Sequence, residues 1–451
     1  MQKPISFKKF ILKQNVSAQN ILQALAPLSH VIFLEDQNQP VICFLANQYQ
    51  QFKNDELKTY VRSHLDQYEE CDTQPLQDIA FQDIAFQDLC SKLGSGFSGG
   101  WAGFISYDYA AQQQISLHAK AQPRLFLGQF SSFLELEDDG WYFYSSDHSA
   151  AKIYDYIDHL IQTEIAQDRF KLTQKCIARW SKSDYTKAFD QVQEYIKTGD
   201  CYQINLTQEF TAQANGSLLE TAQEFWSLTD APYSGYLRID DFEILSCSPE
   251  LFIDFKPERK MITKPIKGTM PRYEDPILDE QSKQRLKSSE KDMAENVMIV
   301  DLLRNDLSVY AEIGSVKTPK LFDIESFNQV HHMVSEVEAV LKTDVNPFEV
   351  LMSALPGGSI TGAPKIRAMQ IIEELEGAPR GAYCGSMGYF NHDGTGSWNI
   401  LIRSIQKYQD QVSLWAGGGI TIASDCNAEY QECFDKVEAM LDLLNTWYKP
   451  N

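Results

Sequence analysis

The chain has 451 residues, 43% of them hydrophobic and 23% charged, with a formal net charge of −22. A chain of this length can bury a large core, and on length alone it divides into about three domains. The acidity argues against a nucleic-acid partner, which needs a basic face, and against an anionic membrane surface.

An acidic protein that takes an anionic substrate must concentrate positive charge locally, with lysine, arginine or a metal ion. The N-terminus has no signal-like apolar run. No stretch reaches the roughly 18 apolar residues of a membrane span. Nine cysteines occur without a Cys-x-x-Cys pair, which reads as reduced thiols and a cytoplasmic protein.

Residues 1–150 form a strand-rich region with frequent aromatics, as in Gly99 to Ala110. Leu76 to Leu89 repeats a five-residue unit. Five is no solenoid period, so this reads as a local surface duplication. Ser183 is the expected cap of a helix with Tyr185, Phe189, Val192 and Ile196 on its apolar side, ended by Gly199. The next run alternates as a strand: Ile204 and Leu206 on one face, Gln203, Asn205 and Thr207 on the other. The polar face is solvated or lines a site, and the pattern favours solvation.

Further on, Lys267 sits in the tight block PIKGT, Pro265 to Thr269. Glu250 follows Ser-Pro, where a turn could present it to a cleft. Asp292 and Glu295 share a face of a helix whose expected apolar stripe is Met293, Val297, Val300 and Leu303. Glu429 and Glu432 repeat that spacing on a helix with Tyr430, Phe434, Val437 and Leu441 on its apolar side. Alone, either pair is a solvated acidic face. Meeting across a cleft, they would make an oxygen site suited to Mg²⁺.

Three segments could receive an anion. Ala416 to Ile420, with Gly418 and Gly419, is a close backbone approach or a strand bulge. Gly357 to Lys365 runs from a glycine turn through Ser359 into a helix with Pro364 near its first position. Arg403 follows an apolar strand and needs a carboxylate partner.

The blocks SCSPE (246–250), PIKGT (265–269) and AENVMIVDLLRND (294–306) together resemble the chorismate-utilising enzymes. The resemblance is strong over 180–445 and weaker before 150. It implies an α+β fold: one large body of two packed antiparallel sheets surrounded by helices. Residues 1–150 would be co-folded with a catalytic region at 180–447. It assigns Glu295 and Glu432 to Mg²⁺, with Glu429 as near neighbour. Tyr383, Arg403, Gly418, Gly419 and Lys436 are assigned to carboxylate binding, and Gly268, Thr269 and Ser359 to the ring region. Glu250 would be the general acid. His332, in VHHMVSEV, would position groups or carry protons beside the ring.

Within the family, alanine before Gly-Thr resembles anthranilate-forming members, and lysine those that form 4-amino-4-deoxychorismate. Hydrating members carry a lysine base where this chain has Gln203. Lys267 and Gln203 thus imply amination of chorismate at carbon 4, toward 4-aminobenzoate and folate. Lys267 would be a neutral nucleophile, its pKa lowered by burial and nearby positive charge. No Gly-x-Cys-x-Gly elbow occurs, so ammonia would come from a separate glutaminase subunit. The alternatives are an anthranilate-forming enzyme and a non-catalytic chorismate-binding subunit.

Overall fold

The computed structural model describes residues 7–13, 15–35, 39–71, 96–163, 169–326 and 330–450. The repeat at Leu76–Leu89 lies outside them. Two large sheets, of 13 and 12 strands, form the body. Every pairing between their named strands whose register is described here is antiparallel.

The first 150 residues supply strands to both sheets. In one sheet Phe33 pairs with Tyr236, and in the other Phe104 pairs with Met387. Between the sheets lies a core that includes Ile32, Phe104, Phe126, Leu237, Ile244 and Met387. Helices cover the outer faces: Ala18–Ala24, Ala150–Gln162 and Glu438–Asn445 place Ile21, Ile153 and Leu444 in the core behind the first sheet. This is the expected α+β architecture of two packed antiparallel sheets with helices outside.

The helix predicted to start at Ser183 spans Lys182–Thr198, and its N-cap is Ser181. Ser181 and Asp184 form a reciprocal capping box, which Ser183 cannot form with a residue three positions on, because that residue is Thr186. Gly199 terminates the helix in the left-handed conformation, as predicted.

The following strand runs Gln203–Asn215 and is buried on both faces through Phe210. The solvated reading of its polar face is wrong. Helices Lys182–Thr198 and Lys365–Glu376 bury Ile204 and Leu206 in a cluster with Tyr185 and Ile371. Gln203, Asn205 and Thr207 face inward and are also buried.

Candidate active site

A cavity of about 810 Å³ opens between the sheets, within the size range of small-molecule sites. Its wall combines Asn205 and Trp415–Gly417 and Gly419 of one sheet with Ile266–Pro271 and His332 of the other. The helices Glu290–Ser308 and Cys426–Asp435 close it with Lys291, Asp292, Glu295, Glu429 and Glu432. Glu250, Ser359, Tyr383, Arg403 and Lys436 complete the wall. Two predicted residues stand behind it. Gly418 backs the carboxylates, and Gln203 is buried behind Gly419.

The two acidic pairs line the same cavity, and Glu295 of the first shares Lys291 with Glu429 of the second. A Cβ placed on Gly418 would stand 3.0 Å from both Glu429 Oε2 and Glu432 Oε1, so a larger residue would press on both carboxylates. The ladder from Ile204↔Ile420 to Gln213↔Gln411 is regular, which sets aside the bulge reading of AGGGI.

The helix carrying Glu295 is rotated from its predicted setting. Ile299, Val300, Leu303 and Leu307 are buried, and Val297 is 41% exposed. That turn carries Glu295 inward to 8% exposure. The second acidic helix breaks after Asp435 and resumes at Glu438, so Val437 and Leu441 are not on its first segment. The helix after Ser359 begins at Lys365 with Pro364 as its N-cap. Of that loop, Ser359 and Ile360 reach the cavity, and the helix start does not.

Glu295, Glu429 and Glu432 each have a lysine within 3.9 Å. Lys267 Nζ lies 2.9 Å from Glu295 Oε2. Lys291 lies 3.6 Å from Glu429 Oε1 and 3.9 Å from Glu295 Oε1. Lys436 Nζ lies 2.7 Å from Glu432 Oε1 and donates to Gly417 O at 2.7 Å. Arg403 has no ion pair among the described residues, and burial pulls its pKa down.

The charge state of Lys267 differs from expectation. Burial alone would lower its pKa, but Glu295, with Glu432 and Glu429 beyond it, outweighs burial and holds it above the ordinary value. The sequence hid these partners because they come from other helices. In this arrangement Lys267 is an ammonium.

Glu250 is 7% exposed. Burial pushes its pKa up to about 7, against the opposing pull of the Ile266 backbone and of Lys267, Lys436 and Arg403. That value suits a group that donates a proton near neutrality. His332 is pushed down to about 4, by burial first and then by Arg403, so it is neutral at pH 7. Its Nδ1 lies 2.8 Å from Thr269 Oγ1.

Between Lys267 and Thr269, Gly268 has φ +86°, and a Cβ there would lie 2.9 Å from Asp292 Cγ. Glycine therefore lets the block fold against the acidic helix and aims Lys267 at Glu295. Tyr383 stacks on Trp415 with ring centroids 5.9 Å apart. Lys291, Asn205 and Trp415 are wall residues that sequence reasoning did not assign. Only Asn205 had a signal, on the polar strand face.

Among the described residues no three His, Cys, Asp or Glu side chains form a ready-made metal set. The donor chemistry nevertheless fits magnesium. Glu295 Oε1 is buried without a hydrogen-bond partner, and Glu429 and Glu432 approach one point beside Gly418. Mg²⁺ typically takes one or two carboxylates, several waters and substrate oxygens, with no closed protein cage.

Among the described residues no helix is long and apolar enough to cross a membrane. Residues 29–442 match the family described as chorismate binding enzyme. Aminodeoxychorismate synthase component 1 of Salmonella typhimurium is 41% identical over 350 residues, 76% of each chain. The protein of the same name from Klebsiella aerogenes is 46% identical over 285 residues, and that match spans 63% of each chain. Two solved structures share the fold. Anthranilate synthase component I of Streptococcus pneumoniae superposes with TM-score 0.73 at 23% identity, over 89% of this chain and 92% of that one. The menaquinone-specific isochorismate synthase of Escherichia coli gives 0.70 at 17%, over 98% and 95%. A family match across most of the chain, with a curated relative this similar over three quarters of it, shows that the chain belongs to the chorismate-binding enzyme family.

Proposed function

We propose that this chain converts chorismate and ammonia to 4-amino-4-deoxychorismate, toward 4-aminobenzoate and folate, as a cytoplasmic enzyme. The observation that carries the reading is a lysine and a carboxylic acid on one cavity wall, Lys267 and Glu250. The first has the reach of a nucleophile, and the second has a pKa of about 7.

In the proposed sequence Lys267 gives up its proton to solvent, and its free amine Nζ bonds to ring carbon 2. Both conjugated ring double bonds shift, and the carbon 4–oxygen bond breaks as Glu250 gives its proton to the departing hydroxyl, which leaves as water. Ammonia then bonds to carbon 4, both double bonds shift back as the bond from carbon 2 to Lys267 Nζ breaks, and the proton lost by the new amine returns to Glu250. Arg403, Tyr383, Lys436 and the Gly419 backbone hold the substrate carboxylates. Ser359, Gly268 and Thr269 flank the ring. Neutral His332 acts through position, tied to Thr269. Placement and charge stabilisation should supply most of the acceleration.

Mg²⁺, held by Glu295 and Glu432 with Glu429 beside them, would supply positive charge for a substrate carboxylate and draw negative charge away from Lys267. The bacterial relatives are named component 1, which supports a second component. We assign that role to a glutaminase subunit that delivers ammonia.

The test is the mass of the product formed from chorismate, ammonium and Mg²⁺, with intact-protein mass spectrometry when ammonium is withheld. The expected product is non-aromatic 4-amino-4-deoxychorismate, and the chain should gain mass at Lys267. An aromatic product, or no product with a folded chain, would overturn the reading.

A further inference from the structure

Asn205 lies in the middle of the site wall and is 6% exposed. Its surroundings leave the carboxamide one orientation. Nδ2 donates to Ile360 O at 3.0 Å, and only the amino end of the group can make that bond. Oδ1 is therefore turned away from Ile360. It has no hydrogen-bond partner among the described residues.

The backbone is held as firmly. Asn205 N–H donates to Thr361 O at 2.8 Å. Arg380 donates to Asn205 O and to Ile360 O, each at 2.8 Å. Glu376 holds Arg380 through two bonds, of 2.9 and 2.7 Å. Across the ladder Asn205 faces Gly419, which adds no side chain to crowd it.

A carbonyl oxygen can only accept a hydrogen bond. It cannot bind a substrate carboxylate, a role the proposed function gives to Arg403 and Lys436 on the same wall. Its partner must bring a donor. A carboxylate at this place would hold ammonium in its protonated form, which has no lone pair to attack with. A carboxamide takes an N–H from ammonia without taking or imposing charge.

We propose that Asn205 Oδ1 binds the ammonia nucleophile and directs it to the ring, which makes Asn205 a specificity-determining residue. The inference rests on the aminating function proposed above. The Glu376–Arg380 pair positions it by fixing the two carbonyls that frame Asn205.

The test is steady-state kinetics of N205L and N205T with ammonium and chorismate varied independently. Chorismate affinity is measured separately by titration calorimetry. Leucine keeps the branched shape and removes both the acceptor and the donor to Ile360 O. Threonine keeps a hydroxyl that can donate to Ile360 O and still accept. N205L should lose about tenfold in kcat/KM for ammonium, the scale of one lost hydrogen bond in a buried site. Its chorismate KM and dissociation constant should match the parent, and N205T should recover part of the loss.

An unchanged ammonium dependence overturns the assignment. So does a loss shared equally with chorismate, or an N205T no better than N205L. If N205L does not fold, the ammonium and chorismate dependences of N205T decide by the same criteria. A folded parent that makes no aminated product refutes the proposed function, and this inference falls with it. A parent that aminates while both variants keep its ammonium kinetics refutes this inference alone.

Discussion

Glu250→Gln should make the protein more stable at alkaline pH while it destroys activity. The Glu250 carboxyl has its pKa raised from 4.5 to about 7, chiefly by burial. Below pH 4.5 it is protonated in the folded and unfolded chain alike and costs nothing. Between pH 4.5 and 7 the folded chain keeps a proton that the unfolded chain releases, so stability falls as pH rises. Above pH 7 the full cost applies. At about 1.4 kcal/mol per pH unit it amounts to roughly 3 kcal/mol. Glutamine carries no charge at any pH and can still accept the Ile266 backbone hydrogen bond.

The advantage of the variant should therefore be under about 1 kcal/mol at pH 5 and roughly 3 kcal/mol at pH 8. For a chain of this size that corresponds to about 3 °C in melting temperature. Paired melts at pH 5 and 8 measure it, with urea titrations as the reversible check. A difference that does not grow with pH, or that favours the parent at pH 8, would refute the idea that burial without full charge compensation sets this carboxyl. In the same variant turnover should drop by about 10²–10⁴-fold, the usual contribution of a positioned acid. The parent's activity should fall as pH rises through about 7, because the acid must be protonated.

Lys267→Ala should abolish both the mass gain and amination at carbon 4, and Lys267→Arg should not rescue, because guanidinium stays protonated. Amination by Lys267→Ala at the parental rate would exclude covalent catalysis. Glu432→Gln should raise the magnesium concentration needed for half-maximal turnover, and excess chelator should abolish turnover in the parent. Full activity in chelator would dismiss the metal. Gly268→Ala should lower stability by about 1–2 kcal/mol for its positive φ alone, with a further cost from the close approach to Asp292. A melting temperature equal to the parent's would show that this backbone is not constrained.

The elements with a local signature were legible in the sequence. Gly199 ends its helix because the left-handed cap is a one-residue preference. The i, i+3 spacing of Glu429 and Glu432 put both on one helix face. What failed depended on remote neighbours. The Gln203–Thr207 face reads as solvated because alternation records only that one face is apolar. It is silent on what covers the other, here the cavity and the Glu376–Arg380 pair. The helix bearing Glu295 was set one position off because its apolar stripe is broad, and packing on the second sheet selects among the possible faces. Lys267 was expected to be neutral because its own block holds no acid. Its counter-ion comes from a helix that only the fold brings near.

That ion pair also bears on why an acidic chain can bind an acidic substrate. The cavity wall carries Lys267, Lys291, Arg403 and Lys436 against Asp292, Glu295, Glu429, Glu432 and Asp435, with Glu250 titrating near neutrality. The three lysines are already paired with glutamates. A dianion entering such a site meets one uncommitted guanidinium and a surplus of carboxylate. In a cavity that screens poorly, that balance opposes binding. A divalent cation on the glutamates would reverse its sign and free the lysines for other work. The proposed magnesium would thus serve twice, for the charge of the substrate and for the charge state of Lys267. Both roles would rest on the same gathering of Glu295 with Glu429 and Glu432 around Lys267 and Lys291.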